Sequence, residues 1–297
     1  MVGMTLRSFA EGNESGPTVV FIHGWPDDHT LWDPQVAHLK DRYRCVTTDL
    51  PGFSGDEDGD GGTASTSKWG YSFEEVAKRL ERTIEDVGKG KPVFVVAHDW
   101  GCFYAFMLEK NRPDLVKKLV VLDVGGGLSF WPSLSLLSIA LYQTYLMVAF
   151  LIGGRIGDAM ARGFARLAGA PAASTVARAS VCYPYIHFWK SQIQTCLGMG
   201  PFIPRCPVLF MYGSAGMKKL MVRIAFLVAR LAWCDVQYIP WRFVFFSGKL
   251  RGWLCADPVA FCFCKKHYCG TSSCPLSIML PRFGFVSGRP VHLRFLR

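Results

Sequence analysis

A chain of 297 residues, 50% hydrophobic and 19% charged, can bury a sizeable core; this excludes a disordered or fibrous protein and fits one large α/β domain or two smaller ones. The formal net charge of +10 would ordinarily suggest an anionic partner, but it is not spread over the chain: residues 1–220 hold 22 Lys and Arg against 21 Asp and Glu, while residues 221–297 hold 11 against 2. Nucleic acid is therefore not expected as a partner of the main body. The last 77 residues also carry six of the eleven cysteines, and no Glu follows Glu109, so two compositions are joined. The first residues show no apolar run behind a basic start, which predicts a cytoplasmic chain with free thiols, among them Cys45, Cys102, Cys182, Cys196 and Cys206 as small buried side chains.

In chain order, Thr18–Ile22 is a β-branched run that reads as a buried strand, and it stops at His23-Gly-Trp-Pro26. Arg44–Thr48 is a second strand, ending at Asp49-Leu-Pro-Gly-Phe53. Pro92–Ala97 and Lys118–Leu122 are the third and fourth. Helical periodicity fills the gaps at 34–39, 73–87 and 102–110, with Val76, Leu80, Ile84 and Val87 on one face of the second. Alternation of this kind predicts a parallel sheet covered on both faces. Pro207–Tyr212, followed by Gly213, is a fifth strand, after a mostly helical insertion.

Within the insertion, residues 124–154 carry no charge, a length that competes for a membrane span. Ser133, Ser135, Ser138, Gln143 and Thr144, and the position between two strands of one sheet, favour instead a helix that is buried or lies on a membrane surface. The loop 54–68 is rich in Gly and Asp. Its Asp56, Asp58 and Asp60 imitate the opening of a calcium-binding loop, but Ser67 stands where the closing bidentate Glu is required, so a solvated loop is expected.

The strongest chemical signal is Val96-Ala97-His98-Asp99-Trp100-Gly101-Cys102. Small residues at 97 and 101 permit a sharp strand-to-helix turn that lifts the side chain of residue 99 above the sheet. A carboxylate in that place can attack an sp3 carbon, opening an epoxide or displacing a halide, and so form an alkyl-enzyme ester. The strand end at His23-Gly-Trp-Pro26 would bring the backbone N–H of Trp25 beside it, with the N–H of Trp100 as the second donor of an oxyanion hole.

These three motifs, His23-Gly-Trp-Pro26, Asp49-Leu-Pro-Gly-Phe-Ser54 and His98-Asp-Trp-Gly101, with Cys206–Gly213, resemble the α/β-hydrolase fold and, within it, the epoxide hydrolase and haloalkane dehalogenase branch. The resemblance implies a mostly parallel, doubly wound sheet with an inserted helical cap. The core would comprise 1–126 and 205–220, the cap 127–204, and the atypical tail 221–297. Asp99 becomes the nucleophile on a small apolar epoxide or halide substrate, with no cofactor and no metal. Cap tyrosines would donate a proton to the epoxide oxygen; Tyr142, Tyr145, Tyr183 and Tyr185 lie in the insertion, and Tyr183 and Tyr185 are the first candidates. Trp100 matches a halide-contacting position as well as an epoxide hydrolase one.

The resemblance weakens where hydrolysis of the ester needs a His and an orienting acid. Residues 214–220 offer no carboxylate, and the tail has only Asp235, Asp257, His267 and His292. His267 is the candidate base, Asp123 a substitute acid at the end of the fourth strand, and His98 is expected to be structural. Cys262, Cys264, His267, Cys269 and Cys274 lack the spacing of a regular zinc knuckle. The changed composition marks 221–297 instead as a segment foreign to the family, from a different reading frame or a retained intron. Three readings follow: an epoxide hydrolase, a dehalogenase, or an α/β-hydrolase scaffold that lacks the His/acid relay.

Overall fold

The structure, a computed structural model, describes residues 5–54, 68–124, 134–170, 175–195 and 204–211. His267, His292, Asp235, Asp257, the tail cysteines, Cys196 and the Asp56–Asp60 loop lie outside these residues.

Six strands form one sheet in the order β1 (Arg7–Gly12), β3 (Arg44–Asp49), β2 (Thr18–Ile22), β4 (Val93–His98), β5 (Val116–Leu122), β6 (Val208–Met211). Only β1 runs antiparallel, pairing Arg7 with Asp49 through Gly12 with Arg44. The other ladders are parallel. The strand β1 has no counterpart in the sequence reading, because an exposed edge strand such as Arg-Ser-Phe-Ala-Glu-Gly shows neither an apolar run nor clean alternation.

Three helices connect the core strands: α1 (Asp33–Leu39), α2 (Phe73–Gly88) and α3 (Trp100–Asn111). They agree with the periodicity to within two residues at each end. Ser72 caps α2 by accepting the Glu75 N–H at 3.1 Å, and Val76, Leu80 and Ile84 are fully buried. All six residues of β4 are buried, as expected for a central parallel strand. Burying each large apolar side chain there contributes roughly 1.5–3 kcal/mol.

From β2 the chain moves to β3 on one side, and from β4 to β5 on the other. Right-handed crossovers then put α1 and α3 on opposite faces, and the carboxyl ends of β2 and β4 flank the point where the winding reverses. His23-Gly-Trp-Pro26 and Asp99 sit at that point.

Between β5 and β6 the chain inserts α4 (Leu134–Ile152), α5 (Gly154–Leu167) and α6 (Tyr183–Thr195). Gln143, Leu146 and Ala149 of α4 are buried in the protein, and among the described residues no helix is long and apolar enough to cross a membrane. The spanning alternative for 124–154 is therefore not supported. Return to the sheet is anchored by Glu109 of α3, a buried carboxylate that accepts the backbone N–H groups of Arg205 (2.6 Å) and Cys206 (3.0 Å). Cys45, Cys102 and Cys182 are buried free thiols, and Cys206 is half-buried.

Candidate active site

At Asp99 the chain turns from strand to helix within one residue, with φ 50° and ψ −121°. A non-glycine residue held at positive φ carries strain, which the neighbours over-determine. The Asp99 N–H donates to Leu122 O at 3.3 Å and its carbonyl accepts from the Cys102 N–H at 2.9 Å. The Cys102 thiol points back at Ala97 O and Leu122 O, at 3.2 and 3.3 Å. Gly101 is obligatory, since a Cβ there would lie 2.5 Å from the carbonyl oxygens of both Ile22 and His23.

That contact presses the start of α3 onto the end of β2, and so brings the second motif to Asp99. The Trp25 N–H donates to Asp99 Oδ2 at 3.0 Å. The Trp100 backbone N–H also favours the ionised form of this carboxylate. Gly24 permits the approach; a Cβ on it would come within 2.5 Å of Asp99 Cβ and 2.8 Å of Oδ2. His23, fully buried, accepts the Leu50 N–H on Nε2 at 2.9 Å and faces Gly24 O through Nδ1 at 2.9 Å. Its burial lowers its pKa, as befits a neutral ring that ties the first motif to the second. Asp49, the first residue of that second motif, accepts both the backbone N–H and Nδ1 of His29.

Asp99 keeps a partly accessible surface while the groups around it exclude most water. Enclosure raises its pKa above the usual carboxylate range, against the pull of His98 and of the Trp100 and Trp25 N–H groups; Asp123 adds to the rise.

Over the carboxylate lie aromatic side chains from the inserted helices. Tyr185 of α6 packs edge-on against Trp25 (5.9 Å between centroids) and Trp100 (5.3 Å). Tyr142 of α4 stands edge-on to Tyr185 at 6.3 Å and stacks on Phe164 of α5 at 5.6 Å. Both phenols have pKa values raised by burial and then by the Asp99 charge, so both remain protonated at neutral pH.

Of the two tyrosines expected first, Tyr185 has Asp99 among its electrostatic neighbours. Tyr183 is packed elsewhere: its ring meets Tyr71 and Phe53, its Cβ lies where a Cβ on Gly70 would be, and its hydroxyl faces the Tyr104 phenol. A helix explains this, because residues two apart point to different sides. Tyr142, beside Tyr185, is the other phenol whose pKa is raised by burial and by the Asp99 charge. Tyr145 lies farther round α4, exposed, its hydroxyl 3.4 Å from Met160 O.

Asp123 closes β5 at φ 69° with Oδ2 3.5 Å from His98 Nε2. It therefore pairs with the residue preceding Asp99, a partnership the sequence reading did not contain. His187 hydrogen-bonds Trp69 O at 2.9 Å. Among the described residues no group of three or more His, Cys, Asp or Glu is placed to hold a metal.

The family profile described as "alpha/beta hydrolase fold" matches residues 17–151. Among curated proteins, the chain is 39% identical over 101 residues to "Probable oxidoreductase EphD" of Mycobacterium tuberculosis, covering 33% of this chain and 16% of that protein. It is 38% identical over 111 residues to "Epoxide hydrolase 2" of Siraitia grosvenorii, covering 37% of this chain and 33% of the relative. It is 32% identical over 116 residues to a "Haloalkane dehalogenase" of Mesorhizobium japonicum, covering 39% and 35%. These matches span about a sixth to a third of the relatives' lengths. The solved structure of epoxide hydrolase VrEH1 from Vigna radiata superposes with TM-score 0.56 at 20% identity, over 81% of this chain and 90% of that one. At that identity the likeness speaks to the fold.

Proposed function

We propose that this chain, an α/β-hydrolase-fold protein similar to epoxide hydrolases and haloalkane dehalogenases, attacks a small apolar epoxide with Asp99. The Asp99 carboxylate would form a C–O bond to an epoxide carbon as the ring C–O bond breaks. The alkoxide so released would take its proton from Tyr185 or Tyr142, which makes it a viable leaving group. The product of this step is a hydroxyalkyl ester of Asp99.

Hydrolysis of that ester by water develops negative charge on its carbonyl oxygen. The Trp25 N–H already points at Asp99 Oδ2, and with the neighbouring Trp100 N–H it would stabilise the oxyanion. The observation that carries the reading is the Trp25 N–H on Asp99 Oδ2 together with Tyr185 packed on both Trp25 and Trp100 and Tyr142 packed on Tyr185. The helices α4–α6 act in this reading as the cap that brings the phenols.

Mass spectrometry after incubation with an aryl epoxide is the test. An adduct on the peptide containing Asp99, or release of the diol, supports the assignment; neither adduct nor diol overturns it. Accumulation of the ester without diol would identify the scaffold that lacks a working relay, for which His267 is the candidate base. Halide release from a chloroalkane, without reaction at an epoxide, would assign the chemistry to dehalogenation.

A further inference from the structure

From α4 and α5 we infer a docking face for an anionic phospholipid surface, a property independent of the chemistry at Asp99. A helix on the outside of a globular protein ordinarily turns polar residues outward. Here α4 does the opposite: Leu137, Leu141, Tyr145, Val148, Leu151 and Ile152 are all exposed. At about 100° per residue these six fall within an arc of about 120°, with the buried Leu146 on the far side. No charged residue occurs anywhere on this helix. An outward apolar stripe of that length marks a surface that meets something other than water.

What it meets is indicated by α5, which packs alongside. Tyr142 and Tyr145 contact Phe164, and Gly157 lets α5 approach so closely that a Cβ there would sit 2.3 Å from Ala149 O. Arg155, Arg162 and Arg166 recur at seven and four residues along α5, one row on its accessible side, with the exposed Ile156 and Leu167 beside Arg155 and Arg166. The only acid on the helix, Asp158, is committed to Arg162 (3.8 Å) and to the Ala179 N–H (2.8 Å). A layer of anionic headgroups over acyl chains complements both features, the row of cations and the apolar stripe.

The test uses the full-length chain, so that the basic residues 221–297 are present throughout. Vesicles of phosphatidylcholine alone, and of phosphatidylcholine mixed with phosphatidylglycerol, are sedimented with the protein. The expected result is binding to the mixed vesicles that falls at least tenfold in Leu141→Glu/Val148→Glu/Ile152→Glu. In Arg155→Gln/Arg166→Gln it should weaken about fivefold for each arginine removed. Circular dichroism checks that the exposed substitutions leave the fold unchanged. An environment-sensitive dye on Val148→Cys should shift to the blue when mixed vesicles are added. Equal binding by the triple variant with an unshifted dye would overturn the proposal and assign binding to the basic tail. No binding, or a dimer in light scattering that the triple variant abolishes with the dye unshifted by vesicles, would overturn it as well.

Discussion

The backbone N–H of Trp25 points at Asp99 Oδ2 from 3.0 Å, joining the ends of two parallel strands that lie 74 residues apart in the chain. This bond defines one wall of the candidate site, and it also supports an ionised Asp99 that burial disfavours. The two effects oppose each other, and burial is the larger. Asp99→Asn is expected to abolish adduct formation while raising the midpoint of thermal unfolding at neutral pH. The sign follows from linkage: a carboxyl whose folded pKa is raised weakens the fold as pH climbs through that pKa. The gain in Asp99→Asn should therefore be full above the folded pKa and shrink toward acid. The rate of adduct formation in the unsubstituted protein should fall over the same acidic range, because only the ionised form attacks.

Replacement of Gly24 by Ala tests the approach of the two strands directly. Its Cβ would lie 2.5 Å from Asp99 Cβ and 2.7 Å from His98 O, so something must shift. We expect loss of adduct formation by about tenfold to a hundredfold, the scale that a misplacement of about 1 Å produces. Gly163→Ala on α5 meets nothing within 4 Å and is the control; it should keep full reactivity and gain about 0.5–1 kcal/mol of stability.

Tyr185→Phe and Tyr142→Phe are each expected to slow epoxide opening, the double variant by about a hundredfold or more, as removal of general acid catalysis does. Tyr183→Phe should change the rate of adduct formation little, because its hydroxyl faces Tyr104. Single-turnover kinetics with an aryl epoxide separate these outcomes, and a slow Tyr183→Phe with a normal Tyr142→Phe would reverse the assignment of the pair.

Away from the site, Glu109 holds the segment that leads into β6 through the Arg205 and Cys206 N–H groups. Glu109→Ala removes a buried acceptor from the partly buried backbone donors of Arg205 and Cys206. Urea denaturation should show a loss of about 2–4 kcal/mol, with the Asp99 turn chemically intact in the fraction that folds.

How far these features were legible in the sequence depended on the range of the interaction behind each. The strands 18–22, 44–48 and 118–122 could be read locally, the first and last as the apolar runs a strand buried on both faces requires and 44–48 from its β-branched Val46, Thr47 and Thr48. Asp99 was legible as well, since a one-residue reversal from strand to helix demands small residues at 97 and 101 wherever it occurs. By contrast β1 escaped notice: its pairing with β3 is made by backbone groups, which leave no mark on residue type.

The amino-acid sequence by itself determined the sheet's central strands, the turn at Asp99, the partner turn at Trp25, and the division of charge between a near-neutral body and a basic tail. Only the tertiary structure decided which tyrosines approach Asp99, that Asp123 pairs with His98, and that α4 turns an apolar face outward. The reason is geometric. A turn is specified by neighbours along the chain, whereas Tyr142 and Tyr185 are brought together by how two inserted helices rotate and pack, and an uncharged helix such as α4 has too weak a polar periodicity for that rotation to be read.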